Sequence, residues 1–274
     1  MKKNHSGLLM PLLCSALLFS ACQKEESQPL MVDASAKANQ DSKSNTFYGP
    51  QAQLGDGKVR SFFTVTHDSK PLEFGVIMTA KSMHGLPDDM SAIMLDIHQK
   101  AKPLTPFDHI MVDWNPMGHE PDPLYGIPHF DFHFYMVGMD VVSSIMPGAA
   151  MEKLPPPGYM PNTYFPTPGG VPMMGKHWLD MNAPELRGVP FTKTFIYGSY
   201  NGKVIFYEPM ITRATLMEGK DCTLPFGVPT LFSPANKWYP THYNIRTDSK
   251  TGEITVSLSE FVWRSESLDK EGVK

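Results

Sequence analysis

Proline and glycine are the residues that most restrict what this chain can fold into. The 274 residues include 26 prolines and 21 glycines, most of them in the part of the chain that has a globular composition. Proline removes a backbone donor and breaks helices, and glycine lowers helix stability. The segments between these residues are therefore expected to be short strands, turns and loops, with few helices.

Short runs between these prolines and glycines are rich in β-branched and aromatic residues, and several alternate as half-buried strands do. They are residues 59–66, 72–79, 107–114, 129–137, 193–200, 203–212, 241–248 and 253–264. Asn201-Gly202 joins two of the runs and is a strong hairpin signal. A longer Gly-containing turn joins the last two. We therefore predict a mainly β fold, a barrel or sandwich of antiparallel strands with one or two accessory helices.

Two segments are the candidates for the accessory helices. Residues 87–100 carry apolar residues at helical spacing, and a shorter helix is expected around residues 141–146. Residues 147–190 form a Pro/Gly-rich excursion with too little periodicity for core elements. An irregular segment of this length inside a compact domain often shapes a site or an interface.

The start of the chain has the pattern of a bacterial lipoprotein signal. Two lysines precede an apolar run at residues 8–19, which is too short to span a bilayer and suits a signal-peptide core. The run ends in FSAC, which resembles the lipobox, in which the cysteine is acylated and becomes the new N-terminus. We therefore predict a signal peptide over residues 1–21 and lipidation at Cys22, with an ordinary secretory signal as the alternative.

The rest of the chain is expected to form one domain anchored to the cell envelope. Residues 22–45 are polar and are predicted to be a disordered tether. Residues 46–264 are predicted to form a single β-rich domain, and residues 265–274 a polar tail. By resemblance to Gram-negative lipoproteins, Gln23 after the cysteine favours the periplasmic face of the outer membrane.

Cysteine usage and charge exclude several classes of protein. Cys14 leaves with the leader and Cys22 would be lipidated, so Cys222 remains alone and no internal disulfide is expected. A cysteine-rich zinc site is excluded for the same reason. The formal net charge is −4 and the sequence has no basic cluster, which argues against nucleic acid as a partner.

The run HFDFHFY, residues 129–135, contains the residues most indicative of chemistry. Side chains two apart on a strand share a face, so His129, Asp131 and His133 point one way and the phenylalanines point into the packed layer. Imidazoles with a carboxylate between them bind a cation or transfer protons. His129 and His133 are about 13 Å apart along a regular strand, too far to hold one ion through bonds of about 2.1 Å. Adjacent pairs can converge on one ion, so the strand supplies at most half of a mononuclear site.

The completing ligands must come from other segments. His177 lies in the excursion, and Glu208 lies among apolar residues of a strand, where a carboxylate is costly unless it is paired or metal-bound. His119 and Glu120 lie on a Gly/Pro-rich loop just before the strand. We predict acid/base roles for these two loop residues at the rim of a metal site formed by His129, Asp131, His133, His177 and Glu208.

Structural roles for the same residues are the alternatives. Glu208 in an ion pair with Arg213 or Arg246 is one, and His177 as a loop histidine bonded to a backbone carbonyl is another. Sets of histidine and carboxylate suit Zn, Fe and Mn alike, so the divalent metal is not identified. The sequence has no GxSxG, GxGxxG or HExxH motif.

Five long sequence blocks resemble an uncharacterised family of secreted bacterial proteins, a domain of unknown function. Its structural prototype is a Thermus protein under extracytoplasmic sigma-factor control. The blocks are residues 106–121, 125–135, 166–180, 190–214 and 239–248. The resemblance implies a β-rich fold and ring-like homo-oligomers, and it implies no particular reaction.

Two hypotheses for the function follow. The first is a lipid-anchored envelope protein with a metal or acid/base site that acts on a small molecule by metal-assisted hydrolysis or lyase-type proton transfer. The second is a non-catalytic ligand-binding or oligomeric structural module of the envelope. In the second, the His-Asp-His face would be a hydrogen-bonded interface.

Overall fold

A computed structural model describes residues 43–265. The predicted signal peptide, the lipidation site at Cys22, nearly all of the predicted tether and nearly all of the polar tail lie outside the described residues. The first strand begins at Ser44, two residues inside the predicted tether. Among the described residues, no helix has the length and apolar character needed to cross a membrane.

The described residues form fifteen strands and three short α-helices. The strands are β1 (Ser44–Leu54), β2 (Gly57–Thr66), β3 (Pro71–Met78), β4 (Ser91–Asp96), β5 (His109–Asn115), β6 (His129–Tyr135), β7 (Tyr164–Pro166), β8 (Lys176–Asp180), β9 (Lys193–Tyr200), β10 (Lys203–Thr212), β11 (Cys222–Pro225), β12 (Lys237–Tyr239), β13 (His242–Thr247), β14 (Ile254–Ser259) and β15 (Val262–Arg264). The helices are α1 (Met139–Ser144), α2 (Ala149–Glu152) and α3 (Arg213–Met217). Two 3-10 turns, Ala80–Met83 and Pro184–Arg187, complete the elements.

The strands form a sandwich of two open antiparallel sheets, which confirms the predicted fold class. One sheet has the order β1-β2-β3-β14-β13-β11, and the other has the order β4-β5-β6-β10-β9-β8-β7. Strands β12 and β15 form a separate pair. Apolar side chains from both large sheets make one continuous core, in which aromatic rings such as Phe74, Phe107 and Phe134 pack edge-to-face or stacked.

Both predicted hairpins are confirmed. Asn201 and Gly202 connect β9 to β10 with φ values of 48° and 77°, the left-handed pair that a type I′ turn requires. The longer turn between β13 and β14 uses Gly252 at φ 70°. The predicted short helix around residues 141–146 is confirmed as α1.

The predicted helix over residues 87–100 is wrong, because this segment contains β4. Ile93 and Leu95 point toward the main core, and the neighbouring residues Ala92 and Met94 are exposed. The inward-facing positions therefore follow a period of two, and pairing with β5 along the whole of β4 selects the strand. A short apolar run does not distinguish the two periods by itself.

The excursion at residues 147–190 contains core elements, contrary to the prediction. Strands β7 and β8 extend the seven-stranded sheet beyond β9, and Trp178 of β8 is buried in the main core. Its indole donates a hydrogen bond to Ser199 of β9. Residues 167–175 between these strands form an irregular loop, which Lys176 fastens by donating to the carbonyl of Gly169 at 2.7 Å.

Candidate metal centre

The outer face of the seven-stranded sheet, on the side away from the main core, carries the candidate residues. As predicted, Phe130, Phe132 and Phe134 of β6 pack in the core. The alternate residues of β6 lie next to β5, where Asn115 pairs with His129, Asp113 with Asp131 and Met111 with His133. Like charges directly opposite each other on a sheet are destabilising, so Asp113 and Asp131 require a compensating positive charge.

The candidate residues form two groups that we name the His133 cluster and the His129 cluster. The His133 cluster contains His133, His177 and Glu208, and the His129 cluster contains His119, His129 and Asp131. Within each cluster, one ligand atom from every residue lies within 4.8 Å of the other two. The described residues therefore offer two sets of two histidines and one carboxylate, a combination found in zinc and non-haem iron sites.

The His133 cluster joins three strands. The Nε2 atoms of His133 and His177 lie 3.4 Å and 3.8 Å from Oε2 of Glu208. Two ligands bound to one ion at about 2.1 Å are about 3.0–3.4 Å apart, so the spacing is close to that of a shared ion. The buried atoms His133 Nε2 and Glu208 Oε2 have no hydrogen-bond partner among the described residues.

Asp113 supports His133 from behind. Its Oδ2 lies 2.9 Å from Nδ1 of His133, although these two buried atoms are not aligned as a hydrogen bond. Nε2 of the same ring is directed at Glu208. A carboxylate against the second ring nitrogen is the usual outer contact of a metal-binding histidine, since it fixes the tautomer and raises the basicity of the ligand. Sequence reasoning missed Asp113, although its alternation with the apolar residues of β5 was a usable signal.

Phe206 of β10 holds the two histidines of the His133 cluster. Its ring centroid lies 4.8 Å from that of His133 and 5.6 Å from that of His177. The ring has room only because residue 198 on β9 is glycine, since a Cβ there would come within 2.0 Å of it. Packing therefore fixes the orientation of these histidines before any ligand binds.

The His129 cluster lies next to the His133 cluster, toward the start of β6. Nε2 of His129 lies 3.2 Å from Oδ1 of Asp131, and Nε2 of His119 lies 3.2 Å from Oδ2. Asn115 donates to Oδ2 of Asp131 at 2.7 Å. His129 is fully buried and Asp131 is 3% exposed, so their unpartnered atoms are shielded from solvent.

The electrostatics of the metal-free chain show that the site favours a positive charge. Burial lowers the pKa of His133, but Glu208 and Asp113 outweigh it and raise the pKa to about 9. His119 also has its pKa raised to about 9, because Asp131 outweighs the effect of burial. Burial raises the pKa of Glu208 to about 8, against the opposing effect of His133.

His177 behaves differently from the other histidines. Burial and the neighbouring His133 and His119 lower its pKa to about 3. The imidazole is therefore neutral near neutral pH and offers a lone pair, which is the form that binds metal ions.

A cavity of about 540 Å³ lies over both clusters. The loop that carries His119 and Glu120 lines one part of it, and residues 167–174 of the irregular loop line another. Asp131, His177 and Glu208 reach the cavity, whereas His129 and His133 lie beneath its floor. The volume is in the range of small-molecule sites.

The structure thus brings together six of the seven predicted site residues, distributed over two clusters. Glu120 is the exception: it lines the cavity, but its carboxylate accepts a hydrogen bond from the backbone of Asp122. His119, predicted at the rim, contacts Asp131 directly.

The alternative structural roles are not the ones observed. Arg246 pairs with Glu73, and Arg213 donates to the carbonyl of Met83, so neither arginine neutralises Glu208. His177 lies on β8 rather than in a loop, with its Nε2 directed toward Glu208. The buried carboxylate of Glu208 therefore faces histidines and no permanent cation among the described residues.

No protein-family model matches the chain, and no curated protein or solved structure is significantly similar to it. The resemblance noted from the sequence blocks, with the homo-oligomer that it implies, stays a prediction.

Proposed function

We propose that the protein is a divalent-metal protein of the cell envelope that acts on a small molecule in the cavity by metal-assisted hydrolysis. The observation that supports this most directly is the His133 cluster. Nε2 of His133 and Oε2 of Glu208 are buried 3.4 Å apart without hydrogen-bond partners among the described residues, and Nε2 of His177 lies 3.8 Å from the same oxygen. Burying a carboxylate is costly unless it is paired, and a divalent cation would neutralise Glu208 while both histidines bind through neutral rings.

The residues of the cluster have distinct parts in this proposal. Three protein ligands leave a coordination position open, as catalytic rather than structural zinc sites do. Glu208 and His177 line the cavity and would direct that position toward the substrate. A divalent ion supplies Lewis acidity, which polarises a substrate oxygen or lowers the pKa of water. Asp113 orients His133, and the loop walls limit the access of solvent.

Metal content tests the first part of the proposal. The full-length protein, purified without a polyhistidine tag, is expected to contain a divalent transition metal by inductively coupled plasma mass spectrometry. His133→Ala and His177→Ala should each lose the ion of the His133 cluster, because changes to the groups that only hydrogen-bond to metal ligands already cost about 10–100-fold in affinity. His67→Ala, at an exposed turn, is the matched control and should keep it. Trace metal in the wild type, unchanged in both site variants, would contradict the proposal.

Hydrolysis is tested on the same preparations with chromogenic carboxylate and phosphate esters. We expect turnover that disappears with EDTA, returns with added metal and is lost in His177→Ala. Metal binding without any metal-dependent turnover would instead support a non-catalytic ligand-binding module.

Envelope anchoring is proposed from the sequence alone. Labelled palmitate should be incorporated into the wild type, and Cys22→Ser should abolish incorporation and release the protein from the membrane fraction. Cys14→Ser is the matched control, because Cys14 lies in the predicted leader and should have no effect. Recovery of the wild type in the soluble fraction without label would refute lipidation.

A further inference from the structure

We propose that the His129 cluster holds a second divalent ion, so that each chain binds two ions and the cavity takes an anionic ligand that contacts both. This inference extends the proposed function, which requires only the ion at the His133 cluster. It rests on the tautomers of two histidines, on the matching layout of the clusters and on the charge of the cavity.

The tautomers follow from the backbone contacts of the rings. Nδ1 of His129 lies 2.7 Å from the carbonyl of Ile127, and Nδ1 of His119 lies 2.7 Å from the carbonyl of Glu120. A carbonyl oxygen can only accept, so both Nδ1 atoms carry the hydrogen. Nε2 is therefore the atom that each ring can offer to an ion. In His129 the neutral ring presents a lone pair from Nε2 to Oδ1 of Asp131, whereas Nε2 of His119 donates a hydrogen bond to Oδ2 and must lose its proton to bind a metal.

The carboxylate of Asp131 also directs lone pairs at the histidine rings. Its Oδ1 and the Nε2 of His129 are both buried without a hydrogen-bond partner among the described residues, although they are only 3.2 Å apart. Two lone pairs directed at each other repel unless a proton or a metal ion lies between them. A metal ion satisfies the two histidines and the carboxylate together, and backbone carbonyls on the outer ring nitrogens are typical of metal-binding histidines.

The two clusters have the same layout. Each combines a fully buried histidine of β6, a carboxylate that reaches the cavity and a cavity-lining histidine from another segment. The buried histidines are His129 and His133, about 13 Å apart along the strand. This separation, which prevents the two histidines from sharing one ion, places a separate ligand set at each end of the strand.

The charge of the cavity indicates the class of ligand. Among the described residues, its lining contains four carboxylates, Asp113, Glu120, Asp131 and Glu208, and no lysine or arginine. Without metal, such a cavity repels anions. Two divalent ions would reverse this and favour an anion with several oxygen atoms, such as a phosphate ester.

Zinc stoichiometry tests the second site. Metal-free full-length protein is titrated with Zn²⁺ by isothermal calorimetry, and retained zinc is counted by mass spectrometry after desalting. We expect two zinc ions in the wild type, one in His129→Ala, one in His133→Ala and none in the double variant. Asp131→Asn preserves the shape of the side chain and should also retain one zinc ion. This variant tests the same site if His129→Ala fails to fold.

The number of zinc ions retained by each variant distinguishes the second site from the proposed function. One zinc ion that is lost in His133→Ala and kept in both His129→Ala and Asp131→Asn would overturn the second site and leave the proposed function standing. One zinc ion lost only in His129→Ala would overturn the assignment to the His133 cluster, and no zinc would overturn both.

Inorganic phosphate tests the ligand class on the same set of variants. It should bind the two-zinc protein at least about tenfold more tightly than either one-zinc variant. Equal binding by all three would overturn the bridging role of the ligand.

Discussion

Adding Zn²⁺ to the metal-free protein at a thousandfold excess over its dissociation constant is expected to raise the Tm by about 10 °C. A ligand at that excess stabilises the folded state by about 4 kcal/mol, and 1 kcal/mol shifts the Tm of a domain of this size by about 2–4 °C. The gain should be large because the ion would satisfy Glu208 and His133, which are buried without hydrogen-bond partners for their facing atoms. Differential scanning fluorimetry in EDTA and in zinc measures it.

The control for this prediction is a variant that lacks one metal-binding histidine in each cluster and keeps every residue of the main core. A double His129→Ala, His133→Ala variant should unfold at the same temperature with and without zinc. A similar rise in that variant would show that zinc binds elsewhere, and no rise in the wild type would contradict a preformed site.

Phe134→Ala is expected to lower the free energy of unfolding by about 3–5 kcal/mol, whether or not metal is present. A buried phenylalanine replaced by alanine loses its transfer free energy and leaves a cavity. Phe134 is fully buried, with ring centroids 5.5 Å from Phe74 and 5.8 Å from Phe107. It therefore joins both sheets. Urea denaturation, with midpoint and slope compared to the wild type, measures the loss.

Phe165→Ala is the matched control, because this phenylalanine lies in the seven-stranded sheet but is exposed. It should change stability by less than about 0.5 kcal/mol. A small effect at Phe134, or equal effects at the two positions, would contradict the assignment of the phenylalanine face of β6 to the sandwich core.

Some segments of the fold could be predicted from the sequence and others could not, depending on how clearly the local residues favoured one secondary structure. Strands β9 and β10 were predicted at their observed bounds, because Asn201-Gly202 fixes the turn and the residues on both sides favour strands. The segment that contains β4 was taken for a helix because its apolar positions fit both periods, and only pairing with β5 decides between them. Strand β8 was missed because its partner β9 is separated from it by a loop rich in proline and glycine.

The candidate site was also predictable only in part. Strand geometry alone predicted that His129 and His133 point the same way and cannot share an ion. It could not predict that Asp131 faces His129 while His133 faces Glu208, because that choice depends on which strand pairs with β6. Asp113 was missed for the same reason, since its contact with His133 arises from the pairing of β5 with β6.

The alternation along β6 has a consequence for how this protein can diversify. Its odd-numbered residues and the loops above them carry the chemistry, whereas its even-numbered residues maintain the sandwich. Residues 167–174 form one wall of the cavity without contributing to the main core or to either cluster. Substitutions, insertions or whole-segment exchange in this loop can therefore change ligand preference with little effect on the stability of the fold. The same scaffold is suited to directed evolution toward new ligands.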